Sequence, residues 1–185
     1  MVAHIYTVAF HGIEAREVDV QVHIASHGST QNPFSIVGLA DKAVAESRER
    51  VRAALAAIGL AMPYQKVTVN LAPADLPKEG SHYDLPIALG LLAIMGVLPA
   101  SEMAGYTAMG ELSLDAQITA VAGVLPAALA ASEAGRGLIC PARATGPLWK
   151  DDRHGYLAVI RDLILIGVRT GLARLDVFLH CGGDG

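Results

Sequence analysis

The sequence predicts an α+β domain, a mixed sheet with helices packed on it. Three observations predict it. Residues 17–24 alternate strictly, with Val18, Val20, Val22 and Ile24 on one face and Glu17, Asp19, Gln21 and His23 on the other, the period of a strand with one wet face. Residues 41–58 instead place Val44, Ser47, Val51, Leu55 and Ile58 at spacings of three and four, the stripe of an amphipathic helix. The segments follow one another as β-β-β-α-β-α-β-β-α-β, an order that suits a mixed sheet with helices on one face.

Each element has a local reason. Residues 2–10 are rich in strand formers, and His11-Gly12 punctuates them, so residues 2–10 and 15–25 read as a hairpin. A polar loop at 26–33 leads to a short strand, Phe34 to Val37. Asp41 is a plausible N-cap for the 41–58 helix, Glu46 and Arg50 form a favourable pair four residues apart, and Gly59 stands where the helix stops. Val67, Val69 and Leu71 alternate in the next strand, residues 65–71. A turn-rich loop, 72–80, precedes a helix that runs to about Met95 and that Ser81 or Asp84 can cap. The favoured reading has Ser81 as the cap, Asp84 in the first turn near the positive dipole end, and Pro86 where no N–H is needed. That helix is apolar nearly all round and is expected in the middle of the fold. Strands at 106–112 and 117–121, a short Ala-rich helix at 127–132 closed by Gly135, and a buried strand at 137–140 complete the domain. A strand at 156–160 and a helix at 161–172 are expected beyond it.

The chain has 185 residues, 52% of them hydrophobic and 17% charged, which excludes a disordered chain. Its mean hydropathy of +0.41 raises the question of a membrane span. The longest low-charge apolar run, 86–100, falls short of the ~20 residues a spanning helix needs, and the stretch at 155–181 is broken by charges. Residues 1–142 carry eight Lys and Arg against thirteen Asp and Glu, a net of −5, so tight nucleic-acid binding by an isolated copy is not expected. Cys140 and Cys181 form no zinc spacing and no disulfide framework, and no signal peptide opens the chain, so a cytoplasmic setting is expected.

The motifs point away from catalysis. Neither G-x-x-x-x-G-K-[ST] nor G-x-G-x-x-G occurs, so no nucleotide is expected on a Gly-rich loop of this chain. Histidines 4, 11, 23 and 27 fall on hairpin or loop positions, and no metal site is expected. Ser81-His82-Tyr83-Asp84 suggests a triad in composition only, since triad members meet from separate parts of a fold. Lys42, Arg48, Arg50 and Arg52 interleave with Asp41, Glu46 and Glu49, a pattern open to two readings: a salt-paired solvated face, or a surface for a partner or a phosphate backbone.

Tyr6-Thr7-Val8-Ala9-Phe10, Gly12-Ile13-Glu14-Ala15, the run from Phe34-Ser35-Ile36-Val37-Gly38 through Ala40-Asp41-Lys42 to Arg52, and Val69-Asn70-Leu71-Ala72-Pro73 through Pro77-Lys78-Glu79-Gly80-Ser81-His82-Tyr83-Asp84 to Ala88 resemble the start of the ComM/YifB family of magnesium-chelatase-like AAA+ proteins. The resemblance covers residues 1–142. It implies a fold like ribosomal protein S5 domain 2 and the Lon protease domain. It further implies that the full-length family member is a hexameric ATPase, using ATP and Mg, for DNA branch migration in natural transformation. Lon-type proteases carry Pro-Lys-Asp-Gly-Pro-Ser, whose Ser is the nucleophile. Here Pro77-Lys78-Glu79-Gly80-Ser81-His82 stands in that frame, which puts His82 at the nucleophile position and Leu125 at that of the activating Lys. A serine without its base is a poor nucleophile, so a protease-like scaffold without protease activity is expected.

The resemblance thus implies a non-catalytic N-terminal domain for assembly and DNA guidance, with no cofactor of its own, self-association as its main partnership, weak DNA contact and no membrane. Lys42, Arg48, Arg50, Arg52, Lys78 and His82 are the candidate surface, and Gly80, Ser81, Asp84 and Pro86 the structural motif beside it. Residues 143–185 do not follow the family pattern and are expected as an atypical tail of a truncated or frameshifted chain that lacks the AAA+ module. Two alternatives are a serine hydrolase using Ser81 and a purely structural oligomerisation domain.

Overall fold

The alternation at the N-terminus builds a long hairpin. In the computed structural model, which describes residues 2–28, 34–141 and 156–157, strand β1 (Val2–His11) pairs antiparallel with β2 (Glu14–Gly28), register Ile5 to Val20. Strand β3 (Phe34–Val37) lies parallel to β4 (Gln65–Ala72), and β4 pairs antiparallel with β2. Parallel strands β5 (Tyr106–Ala108), β8 (Gly137–Cys140) and β9 (Tyr156–Leu157) extend the other side. Among the described residues the sheet order is β3-β4-β2-β1-β5-β8-β9. Every strand of this sheet except β2 runs the same way, so the loops that follow β1, β3, β4 and β5 gather at one edge.

Helix α1 (Lys42–Ala57) begins as expected: Asp41 Oδ1 accepts from the Val44 N–H at 2.7 Å. It buries Val44, Ser47, Val51, Ala54 and Leu55. Gly59, at φ +80°, closes it: the Gly59 N–H donates to Ala56 O and the Leu60 N–H to Leu55 O, the Schellman arrangement. Helix α2 (Asp84–Ile94) is the apolar one, buried at every position from Asp84 to Ala93. A Cβ at Gly90 would stand 2.5 Å from Val22 Cγ2, so this glycine is what lets α2 close on the hairpin. Burial of a Leu or Ile side chain stabilises by about 1.5–3 kcal/mol, and α2 supplies Leu85, Ile87, Leu89, Leu91 and Leu92 to the core it shares with α1 and the sheet. A one-turn helix, α3 (Ala100–Met103), follows.

Four expectations need correction. The strand expected at 106–112 is two: β5 ends at Ala108, and β6 (Glu111–Leu112) pairs with β7 (Ile118–Thr119), which is shorter than the expected 117–121. The chain leaves the sheet between them because Gly110 docks on the start of α2, its N–H donating to His82 O and its carbonyl accepting from the Leu85 N–H. Helix α4 (Val124–Glu133) starts three residues before the expected 127, since Pro126 is accommodated in its first turn. The helices do not share one face: α1 and α2 cover the face of Ala3, Ile5 and Ala9, whereas α4 covers Val8, Met109, Leu138 and Cys140 on the other. At this end β1 and β8 are apolar on both sides, which demands a second layer. Finally, Ser81 caps no helix; its hydroxyl goes elsewhere, as described below. Of the expected 156–160 strand, residues 156–157 are β9; the 161–172 helix lies outside the described residues, as does nearly all of the expected tail.

No helix among the described residues is long and apolar enough to cross a membrane.

Candidate functional site

The loops at the carboxyl edge of the sheet hold most of the residues singled out above. Loop 77–84 is tied to the start of α1 by backbone and side chain. The Asp41 N–H donates to Lys78 O at 2.9 Å, the Lys78 N–H to Leu39 O at 3.1 Å, and the Gly80 N–H to Asp41 Oδ2 at 3.2 Å. Asp41 therefore serves two segments, one oxygen capping α1 and the other holding Gly80.

Three of the six residues proposed as surface are not on it. Lys78 is fully buried, its ammonium donating to Pro73 O, and burial lowers its pKa while Asp75 partly offsets this. His82 is buried too: its Nε2 lies 2.8 Å from Val8 O, and its ring sits between Phe10 and Tyr83 at centroid distances of 5.4 and 4.2 Å. Since a carbonyl only accepts, Nε2 carries the proton. Burial holds the His82 pKa below its ordinary value, against the Val8 bond and the charges of Asp84 and Asp41. Arg50 turns inward to Asp84, donating from Nε at 2.6 Å and from Nη2 at 2.9 Å, with a third bond to Ala43 O. The Arg50 pKa is raised, chiefly by the Asp84 bond. Asp84 is wholly buried and also accepts from the Leu112 N–H at 3.0 Å, so one carboxylate ties α1, α2 and β6 together. His82 and Arg50 read from sequence as surface because their partners are distant in the chain; position 50 looks outward until Asp84 arrives 34 residues later.

Lys42, Arg48 and Arg52 do face solvent, and each meets an acid of its own helix: Glu46 at 3.7 Å, Glu49 at 3.2 Å and Glu49 at 3.7 Å. Exposed pairs of this kind contribute little to stability. Gly80 takes φ +94° ahead of the 3-10 turn Ser81–Tyr83, and Pro86 stands in the first turn of α2. Ser81 Oγ donates to a Glu111 carboxylate oxygen. Glu111, thirty residues on, is a partner that no local pattern signals. Among the described residues no three His, Cys, Asp or Glu side chains converge as metal ligands.

A second feature adjoins this loop. Phe10, Gly12, Ile13, Ala122, Gly123, Leu125, Pro126 and Leu129 line an open groove of about 570 Å³ between the hairpin tip and α4. Its rim is apolar yet exposed, with Ile13 at 92%, Leu125 at 56% and Leu129 at 54%. Gly123 takes φ +86°, and a Cβ there would stand 2.4 Å from Phe10 Cζ, so Gly123 is the floor on which the Phe10 ring rests. The residue at the position of the missing lysine, Leu125, is thus a wall of an apolar groove.

With this geometry in place, relatives can be compared. A family model described as subunit ChlI of Mg-chelatase matches residues 20–144. The chain belongs to that family. Relatives named ComM and YifB are among those it matches: the competence protein ComM of Haemophilus influenzae is 45% identical over 137 residues, which is 74% of this chain and 26% of the relative. The uncharacterized protein YifB of Escherichia coli is 43% identical over 135 residues, 73% of this chain and 26% of YifB. An uncharacterized protein of Mycobacterium tuberculosis is 39% identical over 176 residues, 95% of this chain and 32% of the relative, an alignment that enters the segment after residue 142. The chain thus spans between a quarter and a third of the length of the curated relatives it matches.

Proposed function

We propose that this magnesium-chelatase-like domain is a non-catalytic assembly module of a longer ComM/YifB-type AAA+ protein. Its part in DNA guidance would be exercised through the assembled protein. The observation that carries the reading is the apolar groove beside a loop whose Lys78, Ser81, His82 and Asp84 are already engaged. Ser81 is held by a carboxylate, His82 by the Val8 carbonyl, Lys78 by the Pro73 carbonyl and Arg50 by Asp84. Ser81 thus meets only a carboxylate, a weaker base than the lysine or histidine that ordinarily activates a serine, and the His82 Nε2–H is turned to Val8. The groove, by contrast, has exposed aliphatic walls of the kind that protein–protein contacts use.

DNA guidance is the finer part of the proposal. The name of the Haemophilus relative associates it with competence. On α1 the exposed arginines and Lys42 are matched by Glu46 and Glu49, so a lone copy offers little unbalanced charge to a phosphate backbone. Several copies side by side would be needed to gather it. ATP and Mg chemistry is proposed for the longer protein, and no residue described above is assigned to it; cytoplasmic location is part of the same proposal.

Light scattering of the chain and a DNA mobility shift at two salt concentrations test the reading together. Multimers abolished by Leu125→Asp support assembly. A monomer at all concentrations, or a salt-sensitive DNA shift by a monomer that Arg48→Glu/Arg52→Glu removes, overturns assembly as the primary role.

A further inference from the structure

We propose that His82 is an acid-sensitive latch that fastens loop 77–84 to β1 and holds the Phe10 wall of the groove. The proposal concerns regulation of the groove assigned above to assembly, but the latch itself stands on its own geometry.

The His82 side chain joins the two features of the carboxyl edge. Through Nε2–H it donates to the Val8 carbonyl, 74 residues earlier in the chain. Its own carbonyl accepts from the Gly110 N–H, and Gly110 O accepts from the Leu85 N–H, so the start of α2 hangs on the same turn. The ring touches Phe10 on one side and Tyr83 on the other. Phe10 in turn lies on Gly123, the floor of the groove.

The neutral ring satisfies this site and the charged one does not. With Nε2–H committed to Val8 O, the bare nitrogen is Nδ1, which faces Gly80: a Cβ built there would lie 3.4 Å from it. A proton added at Nδ1 would need an acceptor, and the ring's hydrogen bond to the protein is the one from Nε2–H to Val8 O. The charged groups that face the ring are Asp84 from α2 and Asp41 from the α1 cap, and both favour the imidazolium. From β1 the ring meets a carbonyl and an aromatic face, and from the β5–β6 link a glycine N–H on its own carbonyl. The two carboxylates are already held, by Arg50 and the Leu112 N–H for Asp84, and by the Val44 and Gly80 N–H groups for Asp41.

The direction follows by linkage. Burial keeps the closed site's pKa below the ordinary 6.5, so the closed form is neutral at pH 7 and the open form takes up the proton first. Stability of the latch is complete above pH 6.5 and is lost as the pH falls below it, until the closed ring also titrates.

The test is an NMR titration of the intact chain from pH 7.5 to 4.5, following the His82 ring and amide exchange at Gly110 and Leu85. The His82 ring should titrate below 6.5, and exchange protection at the two amides should fall with pH in that range, by at most about tenfold per pH unit. His82→Gln keeps a neutral donor toward Val8 and should flatten the profile between pH 7.5 and 5. Phe10 ring signals should move with the amides in the wild type. A ring that titrates at or above 6.5 overturns the latch from the wild-type data alone, whether or not the variant folds. So does a profile that His82→Gln leaves unchanged, which would assign the pH dependence to carboxylates. Loss of multimers on acidification, read separately by light scattering, would extend the latch to assembly. A chain that never associates, yet shows the latch by NMR, would sink the assembly reading and leave the latch standing.

Discussion

Loop 77–84 and the groove beside it break the ordinary division of polar outside and apolar inside in opposite senses. The loop buries Lys78, His82 and Asp84, and the groove exposes Ile13, Leu125 and Leu129. The two departures differ in how they are compensated. Lys78, His82 and Asp84 each have a partner, Pro73 O, Val8 O, or Arg50 with the Leu112 N–H, whereas the buried Tyr83 hydroxyl of the same loop has none among the described residues. The loop is therefore a structural joint, in which charge is matched internally. The exposed aliphatics of the groove are covered by nothing among the described residues, which is the feature the assembly proposal rests on.

The sharpest way to break this comparison is at Asp84. Asp84→Ala leaves Arg50 and the Leu112 N–H without their acceptor, and urea unfolding should register a loss of about 3–5 kcal/mol, the cost of stranding one half of a buried pair. A loss below ~1 kcal/mol would mean that the loop is not a joint at all. At the boundary between the two regions, Gly123→Ala drives a Cβ into the Phe10 ring and should cost on the order of 1–3 kcal/mol in the same measurement. The groove itself should respond differently. Leu125→Asp/Leu129→Asp should leave stability within about 0.5 kcal/mol of wild type, because both positions face solvent, while eliminating multimers in light scattering. Unfolding by that double change would show the groove to be core. Arg48→Glu/Arg52→Glu is expected to have the smallest effect, also within about 0.5 kcal/mol of wild-type stability, since these side chains are exposed and paired only along α1. For chemistry, a serine-reactive probe should fail to label Ser81; labelling that Ser81→Ala removes would restore the hydrolase reading.

Much of the fold was legible because it is local. The alternation of Val18, Val20 and Val22, the stripe of Val44, Val51 and Leu55, and the uniform apolarity of 85–93 each fix an element through backbone period alone. What misled was equally local. Tyr106 to Leu112 has the composition of one strand, and only the docking of Gly110 on α2 divides it. Ser81 sits where a cap is expected, and Glu111, thirty residues on, draws its hydroxyl away.

The sequence by itself determined the family, the element order, the buried central helix, the cap at Asp41 and the stop at Gly59, because those depend on neighbours within a turn or a strand pair. Tertiary structure decided which charges are surface. Arg48 and Arg52 look no different from Arg50 in sequence, yet a guanidinium's role depends on what lies across from it. Only the packing of α1 on α2 brings Asp84 within 2.6 Å of one of the three. Likewise, nothing local distinguishes a leucine that fills a core from Leu125. Its exposure follows from α4 lying on the far face of the sheet, where the hairpin tip stops short of covering it.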